Sequence, residues 1–387
     1  MCGIIGSLGD IDLNQFKDAL LTLKHRGPDF QDIYNVKNDL ITLGHSRLSI
    51  IDLSKNANQP MNFQNQFIIT FNGEIYNYLE LRSMLISKGI SFKSNSDTEV
   101  LVAMFSVYGK EMLNYLDGIY AFAIWDIKSK KLFLARDYMG VKPLYYSHNN
   151  SNFLFASEIK AILKMTNQEY KANPISIFKH LSFMWSPSIE TSFKNIFKLA
   201  PGEVIEINSN NRINKYLWNK KSSFNNSNNK FNENKKIAEV SYLIKKSVKK
   251  QLVSDVNLGI LLSGGIDSSL ITAFAKKDNP NIQSFTMYFP DGNEEEMIDD
   301  YKYAKLVSKK FSLKLNKIDF NYKNIEDDIK NIIYFLDEPI ADLATLNLYY
   351  ITKLANQMNH KVLLSGAGAD DIFTGYRRHT ALYIKEK

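Results

Sequence analysis

Cysteine is all but missing: the chain has 387 residues and one thiol, at position 2. A single cysteine cannot close an internal disulfide, and no cysteine cluster exists to hold a structural zinc. No apolar run reaches the roughly 18 residues that a membrane-crossing helix needs. The opening residues, MCGIIGSLGD, lack a basic segment followed by an apolar core, so no secretory signal is expected and a cytoplasmic location is. Arginine is scarce too, at 7 of the 48 basic residues behind a formal charge of +7. Arginine suits bidentate phosphate and base contacts, whereas the excess here is lysine, much of it between Lys220 and Lys250. That stretch reads as a solvated basic surface. Neither nucleic acid nor membrane is expected as a partner.

What is present is a globular balance, with 44% hydrophobic, 12% aromatic and 23% charged residues. It excludes a wholly disordered or collagen-like chain. At about 150 residues per domain, two or three domains are expected. Residues 1–207 read as mixed strands and helices. Leu40–Leu43, Phe67–Phe71, Ala121–Asp126 and Lys131–Ala135 have strand character, and Leu13–Lys24, Tyr78–Lys88 and Glu99–Tyr108, the last introduced by Asp97, have helical character. Residues 208–236, rich in Asn, Ser and Lys, read as a connection whose few apolar residues include Tyr216, Leu217 and Trp218. From 237 to 387 an amphipathic helix (Ile237, Val240, Ile244 and Val248 on one face) precedes an alternation of strand and helix. The strands fall at Leu258–Leu262, Ile282–Phe289, Leu313–Phe320 and Lys361–Leu364, and the helices at Ser269–Lys277, Asp299–Lys310 and Leu343–Asn356. That order predicts a doubly wound parallel sheet with ligands at the carboxyl ends of its strands.

The lone cysteine follows the initiator. Small residues after Met1 allow its removal, which leaves Cys2 with a free α-amine of pKa about 8 beside its own thiol. Nucleophile and base then share one residue. Alone, a cysteine at position 2 is more often an ordinary buried apolar residue. Its context singles it out: Cys2-Gly3-Ile4-Ile5-Gly6 is followed by His25-Arg26-Gly27-Pro28-Asp29, then His45-Ser46-Arg47-Leu48-Ser49-Ile50. Next come Phe71-Asn72-Gly73-Glu74-Ile75-Tyr76-Asn77, Ser96-Asp97-Thr98-Glu99 and Ala135-Arg136-Asp137 with Gly140.

This ordered series resembles the glutaminase domain of class II glutamine amidotransferases, and most closely that of the glutamine-dependent asparagine synthetases. The resemblance implies an N-terminal-nucleophile sandwich, αββα, with Cys2 as nucleophile. It places glutamine against Arg47, Leu48, Ile51, Asn72, Gly73, Glu74 and Asp97. Arg47 can clamp the carboxylate of glutamine, and Glu74 and Asp97 its ammonium. The Asn72 side chain and the Gly73 N–H can meet the oxyanion that forms when Cys2 attacks. Read singly, Asn72-Gly73 is a hairpin-turn signal and Arg47 a surface ion-pair residue. His25 and His45 read as structural, because Cys2 carries its own amine.

A second constellation, Leu261-Leu262-Ser263-Gly264-Gly265-Ile266-Asp267-Ser268-Ser269, follows an apolar strand and opens a helix. Two glycines before a helix N-terminus expose N–H groups to an anion. The run lacks the lysine of the G-x-x-x-x-G-K-[ST] loop and resembles instead the pyrophosphate loop of ATP pyrophosphatases. The resemblance puts Ser263, Gly264, Gly265, Ser268 and Ser269 on pyrophosphate, Asp267 on Mg2+, and Leu261 and Met287 beside the adenosine. A third run, Ser365-Gly366-Ala367-Gly368-Ala369-Asp370-Asp371, resembles the segment that closes over ATP, with Ser365 and Gly366 on the nucleotide and Asp370 on Mg2+. Asp337-Glu338-Pro339, with Asp342, also resembles the family.

The implied activity is that of a glutamine-hydrolysing asparagine synthetase. Ammonia released at Cys2 would amidate aspartate, activated by ATP with Mg2+ as an acyl-adenylate; a homodimer is compatible. Two features depart from the family. Ala367 stands where many asparagine synthetases have an acidic residue, a change that resembles a branch acting on sugar uronates in polysaccharide synthesis, and Arg377 and Arg378 could bind such an anionic acceptor. The chain also stops at Lys387, before the helices that complete the acceptor pocket in full synthetases, so a glutaminase-only or glutamine-binding protein is the other alternative.

Overall fold

The computed structural model describes residues 1–149, 151–167, 169–208, 212–218, 232–289, 300–320, 325–338, 340, 342, 344–376, 379, 381, 382 and 384. The chain forms two compact units, Met1–Asn226 with Ile333–Asp342, and Ser227–Ile332 with Leu343–Lys387.

The first unit is built on two antiparallel sheets. One contains β1 (Gly3–Leu8), β2 (Phe30–Val36), β3 (Ile41–Arg47), β8 (Tyr145–His148), β9 (Phe153–Ala156) and β10 (Ile196–Lys198), in the order β10-β8-β9-β1-β3-β2. The other contains β4 (Met61–Phe63), β5 (Phe67–Ile75), β6 (Gly118–Asp126), β7 (Lys131–Arg136), β11 (Glu203–Asn208) and β12 (Ile213–Leu217), in the order β12-β11-β7-β6-β5-β4. Successive side chains of a strand point to opposite faces, so a strand between two apolar layers is buried on both. In β1, Ile4 and Leu8 join a core shared with Ile68, Ala121, Ala123 and Trp125 of the other sheet. Ile5 points the opposite way, into a second core with Phe16, Leu20, Ile159 and Ile162. That second core lies under α1 (Leu13–Leu21) and α4 (Ile159–Lys164). Beyond the other sheet lie α2 (Tyr78–Ser87) and α3 (Asp97–Tyr108). From α3, Phe105 meets Phe67 edge-on at 5.4 Å and Phe133 at 5.1 Å between ring centroids. The layers therefore run helix, sheet, sheet, helix, as the resemblance implies. α5 (Pro174–Phe183) completes this unit's helices among the described residues.

Further along the chain come α6 (Glu233–Gln251), β13 (Leu258–Leu261), α7 (Ile266–Asp278), β14 (Gln283–Tyr288), α8 (Asp300–Lys310), β15 (Leu315–Asp319), α9 (Ile325–Phe335), α10 (Ala344–Gln357), β16 (Val362–Leu364) and α11 (Ala369–Phe373). The four strands form a parallel sheet in the order β15-β14-β13-β16. The chain moves outward from β13 to β15 and then returns to the other side of β13. A doubly wound sheet switches in this way, and the crevice between the carboxyl ends of β13 and β16 is its switch point. Ile260, Leu258, Leu364, Ala275 and Val248 form the core here.

Several expectations change in detail. β5 is nine residues long and carries Asn72 and Gly73 within it, paired to Ala121 and Tyr120, so this Asn-Gly is not a turn. Asp97 is the first residue of α3, and Ser96 caps it by accepting from the Glu99 N–H at 3.2 Å. Helix α7 begins at Ile266, which brings Asp267, Ser268 and Ser269 into its first turns. The stretch read as a connection begins instead with sheet structure: Ile213–Leu217 is β12, paired to β11, and the Trp218 indole donates to the Arg136 carbonyl at 3.2 Å. The amphipathic face of α6 is graded, with Val248 buried and Ile237 59% exposed. Arg377, Arg378, Pro339, Lys387 and residues 219–231 lie outside the described residues. Among the described residues no helix is long and apolar enough to cross a membrane.

Candidate active site

Strand register builds the first site. Gly3 of β1 pairs with Ser46 of β3, so Cys2, one step before the strand, arrives beside Arg47 and Leu48. The Leu48 N–H donates to the Cys2 Sγ at 3.4 Å, and the Leu48 carbonyl lies 3.6 Å from the same sulfur. In β5 the even-numbered residues face the first sheet. Ile68 enters the shared core and Thr70 donates to the Gly44 carbonyl at 3.1 Å. Asn72 and Glu74 continue that face. Gly73, between them, has no room for a side chain: a Cβ there would lie 2.2 Å from the Ile119 carbonyl oxygen and 2.7 Å from the Tyr120 Cα.

Arg47 is 5% exposed, and its guanidinium donates to the Ser54 carbonyl at 2.8 Å, the Asn58 side chain at 2.6 Å and the Asp52 carbonyl. Asp52, at φ +54, holds this loop by accepting from Ser54 and Asn95 N–H groups at 2.9 and 2.7 Å. Ile51 lies in the same loop. Asp97 accepts from the Ile75 N–H at 3.0 Å, which ties the start of α3 to the end of β5.

Asn72 is 1% exposed and its Nδ2 has no partner. A buried amide donor left unmatched costs about 1–3 kcal/mol, so its persistence calls for a function. The titratable groups are strongly perturbed. Burial raises the Cys2 thiol, opposed by the positive chain terminus. Burial raises the Glu74 carboxyl, opposed by Lys142 and the terminal amine. Burial lifts Asp97 to about 7, with the Ile75 N–H pulling down and Glu74 pushing up. Met1 is 52% exposed, but its amine is buried and desolvation lowers it to about 5. Two raised carboxylates, an amine and a thiol that feel one another's charge make this a candidate site.

Sequence reasoning left three neighbours without a role. Arg26 Nε donates to the Cys2 carbonyl at 2.9 Å and Nη1 pairs with Glu158 at 2.8 Å. Glu158 also takes His25 at 2.9 Å and Lys160 at 2.6 Å. Its burial alone would raise its carboxyl, but these partners bring it to about 2. His25 is thus structural. So is His45, fully buried, kept neutral by desolvation with a pKa of about 3, and bonded to the Phe71 carbonyl at 3.1 Å. Lys142 is the third neighbour, 8% exposed and two residues past the Gly140 that the motif analysis noted. Ser157-Glu158 offers no local pattern, because only the fold brings it to Arg26.

The second site lies at the switch point. The loops after β13 and β16 meet there around a cleft of about 680 Å³ lined by Leu261, Ser263, Gly265, Asp267, Ser268, Met287, Ser365, Gly366, Ala367 and Asp370. Gly264 has φ +81, and a Cβ on it would lie 2.4 Å from the Tyr303 Cβ. Ser263 and Ser268 hydroxyls meet at 3.0 Å, the Gly265 N–H donates to Ser263 Oγ at 3.3 Å, and Gly265 caps α7. The Ser269 N–H donates to the Gly265 carbonyl at 3.0 Å. A Cβ on Gly366 would sit 2.9 Å from the Ser268 nitrogen, so the second loop presses on the α7 N-terminus. The Ala367 N–H donates to Ser365 Oγ at 3.1 Å, and Ala367 lines the cleft.

Burial raises the Asp267 carboxyl, and Asp370 raises it further. Two carboxylates in mutual repulsion are a donor set for a hard cation. Among the described residues no cluster of three or more His, Cys, Asp or Glu forms. Mg2+ fits such a set, since it commonly takes one or two carboxylates and completes its shell with phosphate and water. The volume and the N–H groups at the α7 start suit a nucleotide.

Comparison with known proteins agrees across both halves. Residues 1–218 match the family described as glutamine amidotransferase domain, and residues 239–387 match asparagine synthase. The chain is 34% identical to asparagine synthetase [glutamine-hydrolyzing] 1 of Bacillus subtilis over 97% of its own length and 59% of that protein's. It is 31% identical to a Methanocaldococcus jannaschii protein provisionally named asparagine synthetase [glutamine-hydrolyzing] 2, covering 98% of this chain and 76% of the relative. For asparagine synthetase B of Escherichia coli the identity is 30%, over 97% and 65%. The chain thus spans about three fifths of the B. subtilis relative.

Proposed function

This chain belongs to the glutamine-hydrolysing asparagine synthetase family, and from that membership we propose that it hydrolyses glutamine at Cys2 and uses the ammonia to amidate an ATP-activated carboxylate. Residues 1–207 are assigned the glutaminase step and 237–387 the synthetase step. The observation that carries the reading is the buried, unpartnered Asn72 Nδ2, on the strand face that continues to Glu74 and in the unit that buries Cys2.

Removal of Met1 turns the Cys2 nitrogen from an amide into an amine. That amine takes the thiol proton, and Sγ attacks the side-chain amide carbon of glutamine. Asn72 Nδ2–H and the Gly73 N–H donate to the oxyanion as it forms, when their contribution is greatest. Arg47, with Leu48 and Ile51 beside it, holds the substrate carboxylate, and Glu74 and Asp97 hold its ammonium. Ammonia leaves with the proton returned by the amine, and water cleaves the thioester to glutamate.

A free carboxylate is a poor electrophile, so the acceptor is activated first. Its oxygen attacks the α-phosphorus of ATP, pyrophosphate leaves, and ammonia displaces AMP from the acyl-adenylate. Ser263, Gly264, Gly265, Ser268 and Ser269 hold the phosphates at the α7 N-terminus. Leu261 and Met287 contact the adenosine, and Ser365 and Gly366 close on it. Asp267 and Asp370 would hold Mg2+, which when bound neutralises phosphate charge.

Aspartate is the leading acceptor. Ala367 favours a second reading: it lines the cleft where many synthetases have an acidic residue, and a sugar uronate is the alternative. Mass spectrometry after incubation with amide-15N glutamine, ATP, Mg2+ and aspartate tests the assignment. Labelled asparagine with AMP is expected. Labelled ammonia with unchanged ATP, in the presence of both aspartate and a uronate, would remove the synthetase half of the proposal.

A further inference from the structure

The Ala135-Arg136-Asp137 motif with Gly140 has no part in the steps above, yet it is among the most tightly bonded turns of the first unit. The Asp137 carboxylate accepts from the N–H groups of Val141 at 2.9 Å, Lys142 at 3.1 Å and Tyr120 at 3.2 Å. Arg136 donates from Nε to the Lys142 carbonyl at 2.7 Å, from Nη2 to the Gly140 carbonyl at 2.6 Å, and from Nη1 to the Leu199 carbonyl. Gly140, at φ +65, makes the turn, and a Cβ there would lie 2.8 Å from Pro201. The N–H and the C=O of one residue, Lys142, are thus held by buried Asp137 and half-buried Arg136.

The residue so held is a lysine at 8% exposure. Its charged surroundings are Glu74 of β5, Arg26 after α1, Cys2 before β1 and Asp137 itself. The chain-terminal amine also feels Lys142, and Asp97 feels Glu74. Buried lysine without function is rare, because desolvation penalises the ammonium. A turn that fixes its backbone at both ends spends bonding on the placement of that charge.

Resting on the glutaminase reading, we infer that Lys142 is a positioning residue for that site: its ammonium offsets the negative charge of Glu74 and of the Cys2 thiolate in the buried space they share. Without it, the Glu74 carboxylate and the Cys2 thiolate would stand in a buried space with less opposing charge, and both would hold a proton to higher pH.

The test uses K142M and K142R of the full chain with two readouts. The first is the pH profile of kcat/KM for ammonia release from glutamine. The second is the pH dependence of iodoacetamide alkylation at the single cysteine, which needs no turnover. In K142M the acid limb of the first and the midpoint of the second both move to higher pH by about one unit, and K142R restores both. A uniform loss of activity with both midpoints unmoved would make Lys142 a packing residue and overturn the inference. If the wild-type chain releases no ammonia, the glutaminase reading fails, and the alkylation midpoints alone decide the role of Lys142. Should K142M not fold, K142Q takes its place.

Discussion

Arg26 grips the main chain of Cys2: its Nε donates to the Cys2 carbonyl oxygen at 2.9 Å while its Nη1 is anchored on Glu158 at 2.8 Å. Cys2 is therefore held by its backbone as well as by the Leu48 N–H on its sulfur. A charge-assisted bond of this kind contributes about 1.5–3 kcal/mol. R26M is expected to lower kcat/KM for ammonia release by about 10- to 100-fold. R26K recovers little, because one ammonium cannot span the carbonyl and the carboxylate as a fork does.

Glu158 sets a pH limit on stability. Folded, its carboxyl titrates at about 2 against an ordinary 4.5. The stabilisation is complete above the unfolded value and is lost as pH falls from about 4.5 towards 2. E158Q is expected to lower the thermal midpoint at pH 7 and to flatten its decline in that acid window, measured by circular dichroism.

Asp97 works in the opposite sense. Its carboxyl is lifted from 3.8 to about 7 by burial, so the folded chain keeps a proton that the unfolded chain releases. Its contribution is full below pH 3.8 and is lost as pH rises through about 7. D97N should melt higher than wild type at pH 8 and lose most affinity for glutamine, because the ammonium loses a counter-charge. Thermal melts and KM measured at that pH check both.

Gly73 tests backbone approach. A Cβ placed 2.2 Å from the Ile119 carbonyl oxygen cannot be absorbed without separating β5 from β6. G73A is expected to destabilise the chain by about 1–3 kcal/mol and to abolish ammonia release by displacing Asn72. Urea unfolding measures the first effect.

At the switch point, D370N relieves the repulsion on Asp267. The variant should fold as the wild type does, yet convert ATP to pyrophosphate at least about 100-fold more slowly at a given Mg2+ concentration. Parallel loss of thermal stability would argue that Asp370 is structural.

Much of both sites was legible because local chemistry was diagnostic. Strand, Ser-Gly-Gly, Asp and helix occur together only where a loop must expose N–H groups, and the structure places that run at the carboxyl end of β13. Asn72-Gly73 was ambiguous for a physical reason. The same dipeptide suits a tight turn or a close strand approach, and only the pairing with β6 decides. Glu158 has no role in the sequence reading because its partner, Arg26, lies far away in the chain, with no periodicity to announce the pair. Trp218 and β12 fall within the stretch read as a connection because a polar edge strand, solvated on one side, has the composition of a loop.

The place of β1 in its sheet carries a consequence for how the protein matures. It is a central strand, hydrogen-bonded to β3 on one side and to β9, Phe153–Ala156, on the other. The ribosome delivers β1 early, but its second edge stays open until some 150 further residues have been made. In the folded unit the terminal amine is desolvated. On the proposed glutaminase reading, excision of Met1 would fall in the interval of synthesis, before the amine is buried, and the Cys2 amine would be unmasked before its surroundings have closed. A chain that folds with Met1 still in place would keep its thiol beside an amide that cannot accept a proton.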